Sequence, residues 1–486
     1  MSAGEAESGR ESHLKMSSFT SGGELRARCA EAGIDLPVDD SFQPGGPMST
    51  PLATGSGSAP NRWAILPMEG WDGTAEGRPT EFTRRRWRRF GQSGAGLIWG
   101  GEAVAVRHDG RANPNQLVII EETLGELASL REELIHEHQV VRGAASKPVV
   151  GLQLTHSGRW SRPHAGGRLE PWIAYRHPLL DRRVASGLPA RVMTDSDLDR
   201  LVDDFVVAGE RASRAGFDFV DIKHCHGYLG HELLSAVDRP GRYGGTLENR
   251  CRFLRSVAAG LRSVAPGLGL GVRLSLYDSL PFGPGPGGVG RAEAWDGAAY
   301  PYAFGGDGVY FCLDEPAAWL TMARDAGVQL ICTTAGSPYH NPHLQRPAAQ
   351  PPSDGYLAPE DPLRGVARQI QATATLKRRV PGLVWVGSAY SYLQEWIGPV
   401  AQAVVTGGMA DMVGLGRLAL SYPQLPLDLE AGLVPDRKRV CRTLSDCTTA
   451  PRNGLISGCY PLDPFYKSLP QAVELRIIKE NSRPRR

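Results

Sequence analysis

The chain has 486 residues, of which 41% are hydrophobic and 22% are charged, and its formal net charge is +2. This balance is typical of a globular protein with a large core, and the near-neutral charge argues against a nucleic-acid partner. The arginine-rich run at residues 84–89 is therefore interpreted as the solvated face of a helix.

The cysteine content and the hydropathy narrow the class further. Eight cysteines over this length do not form the pattern of a disulfide framework. No window has the composition of a signal peptide or a membrane span. We therefore expect a soluble, cytoplasmic protein that acts on a small molecule, with no membrane partner; a homo-oligomer stays open.

The chain order predicts three parts. Residues 1–45 are rich in Gly, Ser, Glu and Arg, so we expect much of this segment to be disordered, with a short helical pattern near residues 25–32. Residues 46–435 are predicted to form one barrel, and residues 436–486 a cysteine-containing C-terminal extension packed on it.

Short apolar runs alternate with helix-length segments through the middle part, which is typical of a parallel sheet covered by helices. Eight such runs favour an α/β fold of the (β/α)8 TIM-barrel type. An open doubly wound sheet has the same periodicity, but the Gly-rich turn of a dinucleotide-binding sheet is missing after the first run. The runs are residues 63–67, 96–101, 148–154, 219–222, 270–274, 328–333, 383–386 and 412–415.

Two long loops interrupt the alternation. Residues 275–314 are rich in Gly and Pro, and residues 304–311 are interpreted as a β-hairpin insert around a Gly turn. Residues 337–362 form a second irregular segment. Both loops follow strands, so both are expected to overhang the carboxyl-terminal face of the barrel, where active sites lie.

The end of the fourth run carries the most specific pattern. Its sequence Val220-Asp-Ile-Lys-His-Cys-His-Gly-Tyr-Leu229 is followed by Arg242-Tyr-Gly-Gly-Thr-Leu-Glu-Asn-Arg-Cys-Arg-Phe253. Both segments resemble the old yellow enzyme, or NADH:flavin oxidoreductase, family in the corresponding order. The resemblance covers roughly residues 60–432 and implies a barrel that binds FMN and takes electrons from NAD(P)H.

The resemblance assigns cofactor roles to strand ends. Gln153 falls at the position that bonds the flavin pyrimidine edge, Arg273 near the N1–O2 edge, and Arg417 at the phosphate. A reduced flavin carries negative charge near N1, so a fixed guanidinium would stabilise it. Backbone amides where the seventh and eighth strands end suit a phosphate. The remaining predicted contacts are Pro67, Met68, Ala103, Gly387, Ser388 and Gly416.

The resemblance also implies a reaction. In the family, donors on the fourth strand bind a carbonyl oxygen, hydride moves from flavin N5 to the β-carbon of the activated alkene, and a Tyr protonates the α-carbon. His226 and Tyr228 fall at the second binding position and the proton-donor position. Lys223 stands where the family has His, so an enolate or a carboxylate could be bound, or Lys223 could pair with Glu69. Glu69 is a second departure from the family and lies close to the expected flavin. His340 is predicted to face the substrate from the second loop, and we favour this role over a metal site formed with His343.

The extension contains three cysteines, Cys441, Cys447 and Cys459, where larger relatives resembling dienoyl-CoA reductase and trimethylamine dehydrogenase hold a 4Fe–4S cluster with four. The second ligand position is Leu444. Three thiolates leave one iron without a protein ligand, so we predict a degenerate motif, no cluster and no other metal.

Competing hypotheses remain at this point. A flavin-dependent amine or alcohol dehydrogenase would use the same cofactor in the opposite direction. A barrel hydrolase would need two carboxylates, for which Glu102 and Asp221 are the candidates. A non-catalytic barrel that keeps FMN as a structural element is a remote fourth.

Overall fold

The computed structural model describes residues 13–297 and 299–482. Eight parallel strands close into a barrel, because the second strand pairs with both the first and the third, and the eighth pairs with the first. We number them β1 to β8: Trp63–Ile65, Leu97–Ile98, Val149–Thr155, Phe219–Ile222, Gly269–Ser275, Leu330–Thr334, Val384–Gly387 and Met412–Leu415. All eight apolar runs are strands, so the predicted (β/α)8 barrel is confirmed.

The helices between the strands alternate as the sequence predicts. Numbered in chain order, α1 to α7 are Glu81–Gly91, Leu124–Arg142, Asp195–Arg214, Leu247–Val264, Asp314–Asp325, Pro362–Arg379 and Ile397–Thr406. After β8 come the short helices Arg417–Ser421 and Leu425–Glu430. The arginine-rich run lies on α1, but Arg86 is buried between Asp72 and Glu102, so this run is only partly a solvated face.

The core has two layers, because alternate side chains of each strand point to opposite faces. Leu330 and Cys332 of β6 point into the barrel, whereas Ile331 packs against the surrounding helices. Inside the barrel Trp99 meets Phe219 edge to face, with ring centroids 5.2 Å apart. Gly151 of β3 is required there, since a Cβ at that position would lie 2.2 Å from the Phe219 ring.

Residues 13–45 differ from the expected disorder. Gly22–Glu31 is a helix whose N-cap Ser21 accepts a hydrogen bond from the Glu24 amide at 3.1 Å. Leu25 and Cys29 of this helix are buried in the main core. The expectation of disorder fails here because a few apolar side chains at helical spacing are enough to order a helix when a neighbouring surface covers them. Residues 1–12 lie outside the described residues.

The first loop contains a hairpin, but not at residues 304–311. The paired strands are Phe282–Pro284 and Gly290–Ala292, while residues 304–311 form only an isolated bridge between Gly306 and Phe311. The two loops contact each other, since the Phe282 amide donates to the His340 carbonyl at 2.6 Å. The second loop includes the short helix Pro342–Gln345.

The C-terminal extension continues in the helices Asp446–Arg452, Pro464–Lys467 and Gln471–Ser482. Arg452 donates to the Pro338 carbonyl at 3.0 Å, and Asp463 pairs with Arg85 of α1 at 2.9 Å. The extension therefore joins the second loop to α1. None of the helices described here combines the length and the apolar character needed to cross a bilayer.

Candidate active site

A cleft of about 1080 Å³, including its open mouth, lies at the carboxyl-terminal ends of the barrel strands. This end of a parallel barrel is where such folds place their ligand sites. Most of the predicted site residues line it: Pro67, Met68, Glu69, Gln153, Lys223, His226, Tyr228, Arg273, Ser388, Gly416 and Arg417. The cleft also has walls that the sequence did not predict: Leu66, Trp71, Pro338, Tyr339, Gln345, Arg346, Ala389, Ser391, Cys447, Thr448, Pro451 and Arg452.

Two predicted cofactor residues do not line the cleft. Ala103 is fully buried and pairs in register with Gln153 of β3. Gly387 packs behind the site, where an added Cβ would lie 2.5 Å from the Tyr390 hydroxyl. Both therefore support their neighbours rather than facing a ligand with a side chain.

Asp221 organises the base of the cleft. Its carboxylate accepts hydrogen bonds from Gln153 Nε2 at 2.5 Å, from Trp99 Nε1 at 2.6 Å and from the Arg273 backbone amide at 2.7 Å. Burial raises the pKa of Asp221. Because the Gln153 amide nitrogen is bound to Asp221, its carbonyl oxygen is the group free to accept from a ligand N–H.

Arg273 brings a buried cation to the same side of the cleft. The residue is 6% exposed, and its Nε has no hydrogen-bond partner among residues 13–297 and 299–482. An unpaired buried guanidinium is costly unless a ligand supplies the acceptor. The electron-rich pyrimidine edge of a flavin is such an acceptor, so this residue fits the expected cofactor.

A second group of cations lies where β7 and β8 end. Arg417 donates to the Pro347 carbonyl at 2.6 Å. Nη1 of Arg417 and Nη2 of Arg346 have no hydrogen-bond partners within the described part of the chain. Burial lowers the pKa of Arg346 to about 9, and the nearby charges of Arg452 and Arg417 add to this effect. Ser388 lies beside these two guanidiniums. Converging cations with free N–H groups fit a phosphate.

The cleft also holds a compact polar cluster. Lys223 Nζ lies 2.6 Å from Glu69 Oε1 and 4.0 Å above the Tyr228 ring. The Tyr228 hydroxyl donates to Glu69 Oε2 at 3.1 Å and lies 3.1 Å from the Tyr339 hydroxyl. Burial and the charge of Glu69 raise the pKa of Tyr228 well above its usual value. Of the two alternatives for Lys223, the structure has the pair with Glu69.

His226 stands beside this cluster in a left-handed conformation, with φ of 66°. This turn directs its ring toward Thr334 Oγ1 and Gln345 Nε2, each 3.3 Å from Nε2. Burial and the charges of Arg273 and Lys223 lower the pKa of His226 well below its usual value. The ring is therefore neutral at neutral pH and can offer one N–H donor.

His340 does not face the cleft, which corrects the prediction from its loop position. Its Nε2 lies 3.1 Å from Asp278, which also contacts Asn341 and His231. Burial alone would raise the pKa of Asp278, but His340 and the other partners lower it to about 2. This buried cluster fixes the second loop to the barrel.

The two carboxylates of the hydrolase hypothesis do not form a catalytic pair. Glu102 is 1% exposed and bound to Arg86 and the Trp87 indole, and Asp221 is enclosed by its three donors. Neither carboxylate lines the cleft. The geometry therefore does not support the hydrolase.

The three cysteines of the extension surround a small cavity that Leu444 also lines. Burial raises the pKa of Cys441 and, together with the neighbouring Cys441 thiol, raises that of Cys447 to about 11. No cluster of three or more metal-ligating side chains occurs in the part of the chain that the structure describes.

Comparison with known proteins agrees with the architecture. Residues 47–287 match the model of the NADH:flavin oxidoreductase / NADH oxidase family. The NADPH dehydrogenase of Halalkalibacterium halodurans is 28% identical over 364 residues, which cover 73% of this chain and 85% of that protein. An NADH:flavin oxidoreductase of Gibberella zeae is 27% identical over 237 residues, 45% of this chain, and the match spans about half of that relative, 53%.

Solved structures resemble the fold over most of the chain. Morphinone reductase in complex with tetrahydroNAD has a TM-score of 0.55 at 21% identity and covers 80% of this chain and 92% of its own. A 2-naphthoyl-CoA reductase complex has a TM-score of 0.64 at 18% identity, covering 88% of this chain and 58% of its own. At these identities the likeness shows the shared barrel fold.

Proposed function

We propose that this chain, whose residues 47–287 match the model of the NADH:flavin oxidoreductase / NADH oxidase family, uses FMN to reduce activated, α,β-unsaturated alkenes with electrons from NAD(P)H. The observation that carries this proposal is that Tyr228 lines the same cleft as Gln153 and Arg273. A proton donor and a flavin-binding edge then face the same space.

The cofactor fits the free hydrogen-bonding groups of the cleft. Gln153 and Arg273 would hold the pyrimidine edge, and Arg417, Arg346 and Ser388 would hold the phosphate. FMN, when bound, supplies the hydride that goes to the β-carbon of the alkene. The binding of the carbonyl oxygen and the proton transfer to the α-carbon are assigned to side chains of this chain.

His226 and Lys223 act on the substrate carbonyl. A neutral His226 donates one N–H, and Lys223 donates a charged N–H, to the oxygen on which negative charge develops. Tyr228 holds a proton at its phenolic oxygen and gives it to the α-carbon. The walls formed by Trp71 and Tyr339 exclude water from the reacting atoms.

The charge balance of the cleft favours a neutral substrate. Five cations line it, Lys223, Arg273, Arg346, Arg417 and Arg452. Glu69 neutralises Lys223, and Asp354 neutralises Arg452 at 2.7 Å. A phosphate of charge about −2 and the anionic reduced ring neutralise the other three. No surplus cation is then left for a carboxylate among the described lining residues, so we favour an uncharged enone.

A second candidate function has a specific observation in its favour. The Tyr228 hydroxyl donates to Glu69, an arrangement that can also draw a proton away from a substrate. An amine or alcohol dehydrogenase would need such a base. The two functions differ in the direction of electron flow. An alkene substrate would oxidise the reduced flavin, whereas an amine or alcohol substrate would reduce the oxidised flavin.

The Tyr228→Phe variant tests the proposed role of the phenol. Stopped-flow measurement should show the reduction of the flavin by NAD(P)H nearly unchanged and the reaction of the reduced enzyme with an enone slowed by roughly 10²–10⁴-fold. Lys223→Ala should instead raise the dissociation constant of the enone. Slowed reduction by nicotinamide with normal enone turnover in Tyr228→Phe would overturn the assignment.

A further inference from the structure

The phenol of Tyr228 lines the cleft but has little direct exposure to solvent. The residue is 2% exposed, and its hydroxyl contacts two groups, Glu69 and Tyr339, each at 3.1 Å. A phenol that gives its proton to a substrate must recover one before the next turnover. While a ligand fills the cleft, Glu69 and Tyr339 are the two neighbours through which a proton can reach this hydroxyl.

Glu69 and Tyr339 are the two members of this cluster that are partly exposed to solvent. The Glu69 side chain is 20% exposed, compared with 2% for that of Lys223. Its two oxygens have separate partners, since Oε1 accepts from Lys223 at 2.6 Å and Oε2 accepts from Tyr228 at 3.1 Å. The ammonium thus holds the carboxylate so that one oxygen points at the phenol.

Tyr339 is the poorer route. Its ring is stacked on Trp160 with centroids 4.4 Å apart and planes 10° apart, which restricts its motion. Burial and the charge of Glu69 raise the pKa of its own hydroxyl. A second phenol of this kind exchanges protons with water less readily at neutral pH than a partly exposed carboxylate does.

From these contacts we infer that Glu69 is a proton-relay residue, which returns a proton from solvent to Tyr228 after each turnover while Lys223 positions its carboxylate. This inference rests on the proposed function and goes beyond it, because it names the path by which the proton donor is recharged. Glu69 acts through Tyr228 and does not itself touch the alkene.

The proton and electron balance is complete. The O–H bond of Tyr228 breaks as a C–H bond forms at the α-carbon, and the hydride with its electron pair comes from NAD(P)H by way of the flavin. The Tyr228 oxygen is left as a phenolate beside the Lys223 ammonium. Glu69 takes a proton from a solvent acid and passes it to that oxygen, which restores both groups.

Chemical rescue tests the relay with the flavin-loaded enzyme. Glu69→Ala should react normally with an enone in the first turnover, which uses the proton already on Tyr228, but its kcat should fall by roughly 10²-fold. Formate or acetate should restore kcat in proportion to concentration, whereas bulky pivalate should not. Glu69→Asp keeps a carboxylate and should retain most of the rate.

Glu76→Ala is the matched control, because Glu76 is an exposed carboxylate in the same loop after β1. It should have the normal kcat and no response to small acids. A Glu69→Ala enzyme with the normal kcat, or one that formate and acetate leave slow, would overturn the relay.

A titration of the flavin-free protein separates this inference from the proposed function. The phenolate absorbance of Tyr228, obtained by subtracting the Tyr228→Phe signal, should appear at lower pH in Glu69→Gln, since the negative charge that raises its pKa is removed. An unchanged titration would overturn the contact on which the relay depends. If wild-type protein reduces no enone while the titration shifts, the proposed function fails and the contact stands.

Discussion

At the scale of single residues, Asp221 explains how the base of the cleft is held. One carboxylate binds the Gln153 side chain and the Arg273 backbone, so both residues that we propose to bind the flavin depend on the same buried anchor. Trp99 completes its hydrogen bonds from inside the barrel. A site preorganised in this way needs little rearrangement when the cofactor binds.

Arg273→Ala is predicted to weaken flavin retention and to lower the reduction potential. The guanidinium is buried and its Nε is free of partners in the described structure, so its charge is available to stabilise the anionic reduced ring. Equilibrium dialysis and a dye-coupled potential titration measure the two effects. Arg255→Ala, on an exposed face of α4, is the control. Full retention at an unchanged potential would show that Arg273 does not contact the flavin.

Residue roles at strand ends could be proposed from the sequence, because a short motif fixes both their spacing and their strand. Gln153, Lys223, Tyr228 and Arg417 do line the cleft. Arg346, Tyr339 and Arg452 could not be found in this way. They come from a long loop and from the extension, where contacts over a hundred residues apart decide which side chain enters the site.

At the scale of elements, the segment before the barrel is a packed part of the fold. The helix Gly22–Glu31 lies near α6, where Arg364 donates to the Ala32 carbonyl at 2.5 Å and Gln371 bonds Asp35 at 2.7 Å. Its composition alone predicts disorder, because such contacts cannot be read from a polar sequence. We propose that residues 13–45 brace this side of the barrel and that residues 436–482 close part of the cleft.

Leu25→Ala tests whether the brace is structural. Leu25 is fully buried in the main core, so the substitution should lower the free energy of unfolding by about 2–5 kcal/mol. Leu433→Ala, at a position that is 57% exposed, should change it by less than about 0.5 kcal/mol. Urea denaturation of both variants makes the comparison. Equal effects of the two substitutions would mean that the helix does not pack as described.

The C-terminal extension gives a prediction about metals. Leu444 occupies the place of a fourth thiolate beside Cys441, Cys447 and Cys459, so protein purified without oxygen should lack stoichiometric iron and acid-labile sulfide. Iron and sulfide assays alongside flavin content check this. About four irons per flavin would show that three thiolates suffice, and would favour the dehydrogenase.

At the scale of the whole molecule, buried neutral histidines should set the acid limit of stability. Burial lowers the pKa of His177 to about 3 and those of five others to about 4: His138, His156, His224, His231 and His343. In the unfolded chain these groups take up protons below about pH 6.5. The unfolded state therefore binds more protons than the folded state as the pH falls from about 6.5 to 4, and stability is lost across that window.

The size of the pH effect can be measured by urea denaturation from about pH 7.5 to pH 5. Each such histidine contributes up to about 1.4 kcal/mol per pH unit. Burial raises the pKa values of Glu102, Asp221 and Glu232, and a raised carboxyl pKa shifts stability in the opposite direction. His138→Gln should make the slope shallower. A urea midpoint that is the same at all these pH values would contradict the conclusion that these buried histidines are neutral in the folded state.

The barrel itself could be predicted from the sequence, because eight apolar runs at regular spacing have few ways to pack. Closure could not be derived from periodicity, since an open sheet shares it. In the structure, the pairing of β2 with both β1 and β3 shows that the sheet is closed. The reaction depends on still finer detail, which is how one lysine, one glutamate and one tyrosine share their hydrogen bonds.

The central claim is that reduced flavin in this protein passes its electrons to an activated alkene. Photoreduced enzyme mixed anaerobically with 2-cyclohexenone tests it most directly. We predict that the oxidised flavin spectrum returns fully in one turnover, with one equivalent of cyclohexanone formed. Reduced flavin that stays reduced with enone, in a protein whose oxidised flavin is bleached by an amine or an alcohol, would contradict the account.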